Sequence, residues 1–110
     1  IDKMVKKILN LRIFEDEFGK MNLNISQVNG SILSISQFTL YADPSSGNRP
    51  SFINAMKADL ATNMYDIFNQ KLRENGMNVQ TGIFGAEMKI DFVNDGPVTI
   101  VLECVDGKVL

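Results

Sequence analysis

Apolar residues recur at Ile1, Met4, Val5, Ile8 and Leu9, with Lys3, Lys6 and Lys7 opposite them. This spacing predicts the last turns of an amphipathic helix, closed near Asn10. Arg12–Phe14 is short enough only for a brief strand. Residues 15–30 are polar, with Gly19, Asn22, Asn24, Asn29 and Gly30, and read as loop and turns. Residues 31–41, SILSISQFTLY, mix β-branched and apolar residues with Ser and Thr between two turn signals, which predicts a strand. Residues 42–50, ADPSSGNRP, are dense in turn formers and long for a connection. From Ser51 to Asn75, Phe52, Met56, Leu60, Met64, Phe68 and Leu72 fall every four residues, which predicts one long helix. Pro50 suits its first turn and Asn75-Gly76 its end. Met88, Ile90 and Phe92 then alternate with Lys89 and Asp91, predicting a strand over residues 86–93 with one wet face. Residues 98–103 are more continuously apolar, as in a buried strand.

Helix, strand, long helix, strand, strand describes a single small α/β domain over residues 1–110, a mixed sheet against a long packed helix. Three clear strands make a poor sheet alone. The sheet is therefore expected to be completed by upstream strands and by a dimer partner. The chain starts with Ile inside a helical pattern, so a natural start further upstream is expected.

Composition narrows the chemistry. Hydrophobic residues make up 45% and charged residues 22% of the 110, enough apolar surface for a folded domain. The formal net charge is −2, so any nucleic-acid contact must be local. There is no His, which removes Ser-His-Asp, Cys-His and His-metal mechanisms from this chain. A lone Cys104 forms no intrachain disulfide and no multi-Cys zinc site, and suits a reducing, cytoplasmic compartment. No apolar run approaches the ~20 residues of a membrane span, and no signal peptide is visible at the start. No metal or cofactor is expected.

Candidate chemistry sits in two places. Ser36-Gln37-Phe38-Thr39 ends a strand just before the turn-rich loop, and Asn94-Asp95-Gly96-Pro97-Val98-Thr99 joins two strands. Taken singly, the first reads as a solvated strand end and the second as a hairpin turn. Met56, Met64 and the aromatics of the long helix read as core. Cys104 reads as a small buried hydrophobe.

Four blocks in order change that reading. They are Ser36-Gln37-Phe38-Thr39-Leu40-Tyr41, Gly47-Asn48-Arg49-Pro50-Ser51-Phe52, Gly82-x-Phe84-Gly85-Ala86-x-Met88 and Asn94-Asp95-Gly96-Pro97-Val98-Thr99. Together they resemble the D-aminoacyl-tRNA deacylase family over nearly the whole chain. The family's N-terminal strands, which help form its adenosine pocket, precede the helix ending near Asn10 and are not in this sequence.

The resemblance implies hydrolysis of the ester joining a D-amino acid, or glycine, to the terminal adenosine of tRNA. It implies a homodimer with its sites at the subunit interface. A cis Gly96–Pro97 bond would project into the partner's pocket, where its backbone carbonyls would meet the substrate α-amino group and exclude an L side chain. A cis bond costs least before proline, ~0.5–1 kcal/mol. Ser36–Thr39 would lie against the scissile carbonyl, with the Gln37 and Phe38 N–H groups as oxyanion donors. Phe84, Gly85, Ala86 and Met88 would form pocket wall, and Arg49 would contact phosphate or remain a solvated loop residue.

No His, Lys or N-terminal amine stands beside Thr39 in sequence, which favours a positioning role over a nucleophilic one. Two further readings stand beside the deacylase. One is an esterase of the same fold acting on another activated acyl compound. The other is a non-catalytic dimeric RNA-binding or interaction module derived from the family.

Overall fold

Two helices and six short strands organise the chain in a computed structural model that describes residues 1–110. The first helix, α1 (Asp2–Asn10), turns Val5 inward and leaves Lys3, Lys6 and Lys7 exposed. Its end is tied by the Asn10 side-chain amide, which donates to the Lys6 carbonyl at 2.7 Å. The antiparallel pair β1 (Phe14–Glu15) and β2 (Met21–Leu23) follows. Its turn is built by Asp16, whose carboxylate accepts from the Phe18 and Lys20 amides at 2.9 and 3.1 Å. These bonds, the Lys20 amide foremost, hold the Asp16 carboxyl below its ordinary value. Gly19, at φ +72°, supplies the left-handed residue that the turn needs.

Strands β3 (Ile32–Ser34) and β4 (Val79–Thr81) pair in parallel, Ile32 opposite Val79, with α2 (Ala58–Glu74) as their crossover. The end of α2 is a full Schellman cap. Gly76 at φ +87° donates to the Arg73 carbonyl at 2.9 Å, and Met77 donates to the Leu72 carbonyl at 3.2 Å. Val5, Leu72 and Val79 form the buried core where α1, α2 and β4 meet, with Leu9, Ile32, Phe68 and Met77 packed around it. Asp2 and Lys71 join the two helices by an ion pair at 2.7 Å. The chain ends in a second hairpin, β5 (Cys104–Val105) and β6 (Lys108–Val109), turning through Asp106 and Gly107 at φ +50° and +76°. Two consecutive positive φ values are the mark of a type I′ turn.

Several expectations are corrected. The strand expected over residues 31–41 is regular only at Ile32–Ser34, and Phe38–Tyr41 winds into a 3₁₀ turn. The turn is held by backbone bonds from the Leu40 amide to the Gln37 carbonyl and from the Ala42 amide to the Thr39 carbonyl, at 3.4 and 3.0 Å. The long helix starts at Ala58 rather than Ser51. Ser51 is held extended by a two-bond bridge to Asp43, at 2.7 and 2.9 Å, and Phe52 is held by edge-to-face contact with Phe38. Met56 therefore precedes the helix. The small α/β architecture is as expected, and its sheet is incomplete, present as three separate two-stranded ribbons. Residues 86–93 and 98–103 form no ladder, and Val98, Ile100 and Val101 are exposed rather than buried. A strand exists by pairing, and no strand of this chain runs beside these two. Cys104 is half-buried. β2, β4, β5 and β6 lay outside the expected elements, although Asp106-Gly107 is a hairpin signal that the sequence carries.

Candidate active site

Parallel strand β3 delivers its last residues to the N-terminal half of α2. There the Tyr65 hydroxyl donates to the Ser34 carbonyl at 2.6 Å. A phenol placed on an apolar helix face needs such a partner, and this bond fixes the ring. Phe84 lies against Tyr65 with ring centroids 6.0 Å apart. The Ala86 amide donates to the Ile83 carbonyl at 3.2 Å, closing a turn with Phe84 and Gly85 at its corner. Gly85, at φ +74°, sits where such a turn requires a left-handed residue.

Between these elements lies a cavity of about 250 Å³. Ser36, Gln37 and Phe38 form one wall, Phe84 and Tyr65 another, and Met56 closes a side. Seven of its nine lining residues are hydrophobic, so a polar group entering it loses water and must meet protein donors. The Gln37 and Phe38 amides, on this wall, give their hydrogens to no other backbone group of the chain. Gln37 Nε2 donates to Thr39 Oγ1 at 2.6 Å. The group beside the Thr39 hydroxyl is thus a donor and not a base, and the hydroxyl hydrogen remains free to be donated outward.

Four expected residues, Ser36, Gln37, Phe38 and Phe84, share this cavity. Thr39 stands one residue beyond its lining, bonded to Gln37. Met88 packs over Gly82, where an added Cβ would collide with its sulfur and sit 3.2 Å from Ile35 Cδ1. Gly85 and Ala86 are exposed at the turn, and Arg49 is exposed on the 43–51 loop. Gly96 and Pro97 do not line the cavity. They lie in an exposed stretch, residues 89–101, and Gly96 has φ +135°.

The expected cis bond is not found, because every peptide bond in the chain is trans. Trans is the lower-energy form by ~0.5–1 kcal/mol, and nothing packs on this exposed loop to reverse that preference. Met56 and Tyr65, read from periodicity as core, line the cavity instead. The signal that marks Tyr65 is its hydroxyl, a polar tip on an otherwise apolar face.

A sequence profile of the D-Tyr-tRNA(Tyr) deacylase family matches residues 1–103. A Staphylococcus carnosus protein named D-aminoacyl-tRNA deacylase is 54% identical over all 110 residues, which span 73% of its length. A Limosilactobacillus reuteri protein of that name is 58% identical over 103 residues, which are 94% of this chain and 71% of that one. Among solved structures, one titled c-Myc DNA Unwinding Element Binding Protein superposes with a TM-score of 0.84 at 42% identity, covering 94% of this chain and 71% of that one. With a profile that runs through nearly every residue and relatives more than half identical along its length, this polypeptide belongs to the D-Tyr-tRNA(Tyr) deacylase family.

Proposed function

We propose that the chain is a hydrolase that cleaves the ester between a D-amino acid, or glycine mischarged on tRNA, and the terminal adenosine of tRNA. It acts in the cytoplasm as a proofreading step of translation. The observation that carries this reading is the pair of unpartnered amides, Gln37 and Phe38, at the wall of a small apolar cavity that Tyr65 and Phe84 close.

An aminoacyl ester is already activated, so the protein need supply only position and charge stabilisation. The scissile carbonyl sits against Ser36–Thr39. A water attacks the carbonyl carbon, the developing oxyanion accepts from the Gln37 and Phe38 amides, and the ester C–O bond then breaks, the water's proton passing to the departing ribose oxygen. Backbone donors aimed at such an oxygen are each worth about 3 kcal/mol of barrier. Thr39, held at its oxygen by Gln37, donates to the substrate and is not acylated. Phe84, Gly85, Ala86 and Met88 bound the pocket, and Arg49 contacts a phosphate of the tRNA 3′ end.

Chiral selection falls to a homodimer. The exposed Gly96-Pro97 loop of one copy presents its backbone carbonyls to the other's cavity, where they meet the α-amino group and leave no room for an L side chain. A filter made of backbone carbonyls suits a chain with no His. Product analysis tests the reaction. Incubation with D-tyrosyl-tRNA should release free D-tyrosine and intact, rechargeable tRNA. Binding of the charged tRNA with no release of amino acid would instead favour the non-catalytic module.

A further inference from the structure

We propose that the outer face of α1, with Arg12 beyond its end, is a docking site for the phosphate backbone of the tRNA body, separate from the site that holds the 3′ end. The proposal rests on the deacylase reading only for the identity of the RNA.

Lys3, Lys6, Lys7, Asn10 and Arg12 line one open concavity of about 400 Å³ that contains no acidic side chain. None of these residues lines the cavity at Ser36–Phe38. Four of the chain's eleven cations thus fall within residues 3–12 of a protein whose net charge is −2. No carboxylate pairs with any of the four, because the one ion pair in the structure joins Lys71 to Asp2.

The cluster opposes the helix that carries it. Lys3–Lys7 is a like-charge pair at i, i+4, which weakens an isolated helix by about 0.2–0.5 kcal/mol. Arg12 is aimed rather than loose. Its Nε donates to the Asn22 carbonyl at 3.2 Å and a terminal nitrogen donates to the Asn22 side chain, so β2 fixes the guanidinium at the rim. Asn10, which also lines the concavity, donates its side-chain amide to the Lys6 carbonyl. A row of ammonium groups at successive helix turns, ending in a fixed guanidinium, follows a polyanion backbone better than it encloses a single ion.

The test is the triple substitution Lys3→Gln, Lys6→Gln and Lys7→Gln in the full-length protein, with the matching Arg triple as the charge-preserving control. Affinity for uncharged tRNA is measured against salt, and hydrolysis is compared on D-tyrosyl-tRNA and on D-tyrosyl-adenosine. The Gln triple should lower the slope of log affinity against log salt by about 2 to 3. It should reduce kcat/KM for the tRNA substrate about tenfold at 0.1 M salt and leave that for the adenosine ester within about twofold. The Arg triple should retain the parent slope. An unchanged slope would overturn the proposal, and so would an equal loss on both substrates. A chain that hydrolyses neither substrate, yet loses tRNA affinity with the Gln triple, would defeat the deacylase reading and leave the docking site standing.

Discussion

Thr39 shows how much a single hydrogen-bond partner decides. A nucleophilic hydroxyl needs an acceptor for its proton, and Gln37 Nε2 offers it a hydrogen instead. Thr39→Ala is therefore expected to slow D-tyrosyl-tRNA hydrolysis by about 10- to 100-fold, the cost of a lost hydrogen bond. Loss of a true nucleophile costs on the order of 10⁴ to 10⁶. Rapid-quench mass spectrometry should find no D-tyrosyl ester on Thr39; trapping that ester would reverse the assignment. Tyr65→Phe is a second residue-scale probe. It removes one hydrogen bond to the Ser34 carbonyl and leaves the ring against Phe84. Stability should fall by about 1 kcal/mol, measured by urea unfolding, with KM rising as the cavity wall loosens. Ser36–Phe38 and Phe84, singled out in the sequence as ordered words in four blocks, meet at one cavity. The sequence did not expose Tyr65 or Met56, because helical periodicity labels an apolar position without saying whether core or cavity lies behind it.

Among the elements, α1 and α2 are the best held. Leu72 is 1% exposed and sits between Val5 and Val79. Leu72→Ala should cost about 2–5 kcal/mol in urea unfolding, a large share of what so small a core supplies. Asp2 and Lys71 join these helices at their surface. The hydrogen bond and charge of Lys71 lower the Asp2 carboxyl below its ordinary 3.8, and Asp2 raises the Lys71 ammonium above 10.5. The pair's contribution is thus complete between those two values. It is lost as pH falls through the lowered Asp2 value, and again as pH rises through the raised Lys71 value. The difference in thermal midpoint between the parent and Asp2→Asn should be constant from pH 5 to 9 and vanish at strongly acid pH.

Both helices were legible from apolar spacing, and the end of α2 from Asn75-Gly76. The start of α2 was not, since the Asp43–Ser51 bridge and the Phe38–Phe52 contact overrule a periodicity that continues back to Phe52. Residues 86–93 alternate and residues 98–103 are more continuously apolar, as strands can be, but neither pattern specifies a neighbour. β5 and β6 depend on the conformation of two residues, Asp106 and Gly107, more than on any periodic pattern.

At the scale of the molecule, the chain leaves much apolar surface uncovered. Its radius of gyration is 15.8 Å, against about 13 Å for a compact chain near this length. Only five of 110 residues are buried, while Phe92, Val93 and Val101 are 69%, 88% and 82% exposed. Apolar surface on this scale is what the expected upstream strands and a partner chain would cover. The shared-site proposal places a second copy along part of residues 86–103, with each copy's Gly96-Pro97 loop at the other's cavity. Light scattering of the full-length protein should give a dimer mass at micromolar concentration, and an active monomer would remove the shared site.

Chirality tests the shared backbone filter most directly. Hydrolysis of D-tyrosyl-tRNA and L-tyrosyl-tRNA, measured side by side with one preparation of the full-length protein, gives the ratio of the two kcat/KM values. A cavity with backbone donors at the carbonyl and backbone carbonyls at the α-amino group should favour the D ester by about 100-fold or more. Equal rates on the two esters, at any speed, would contradict it.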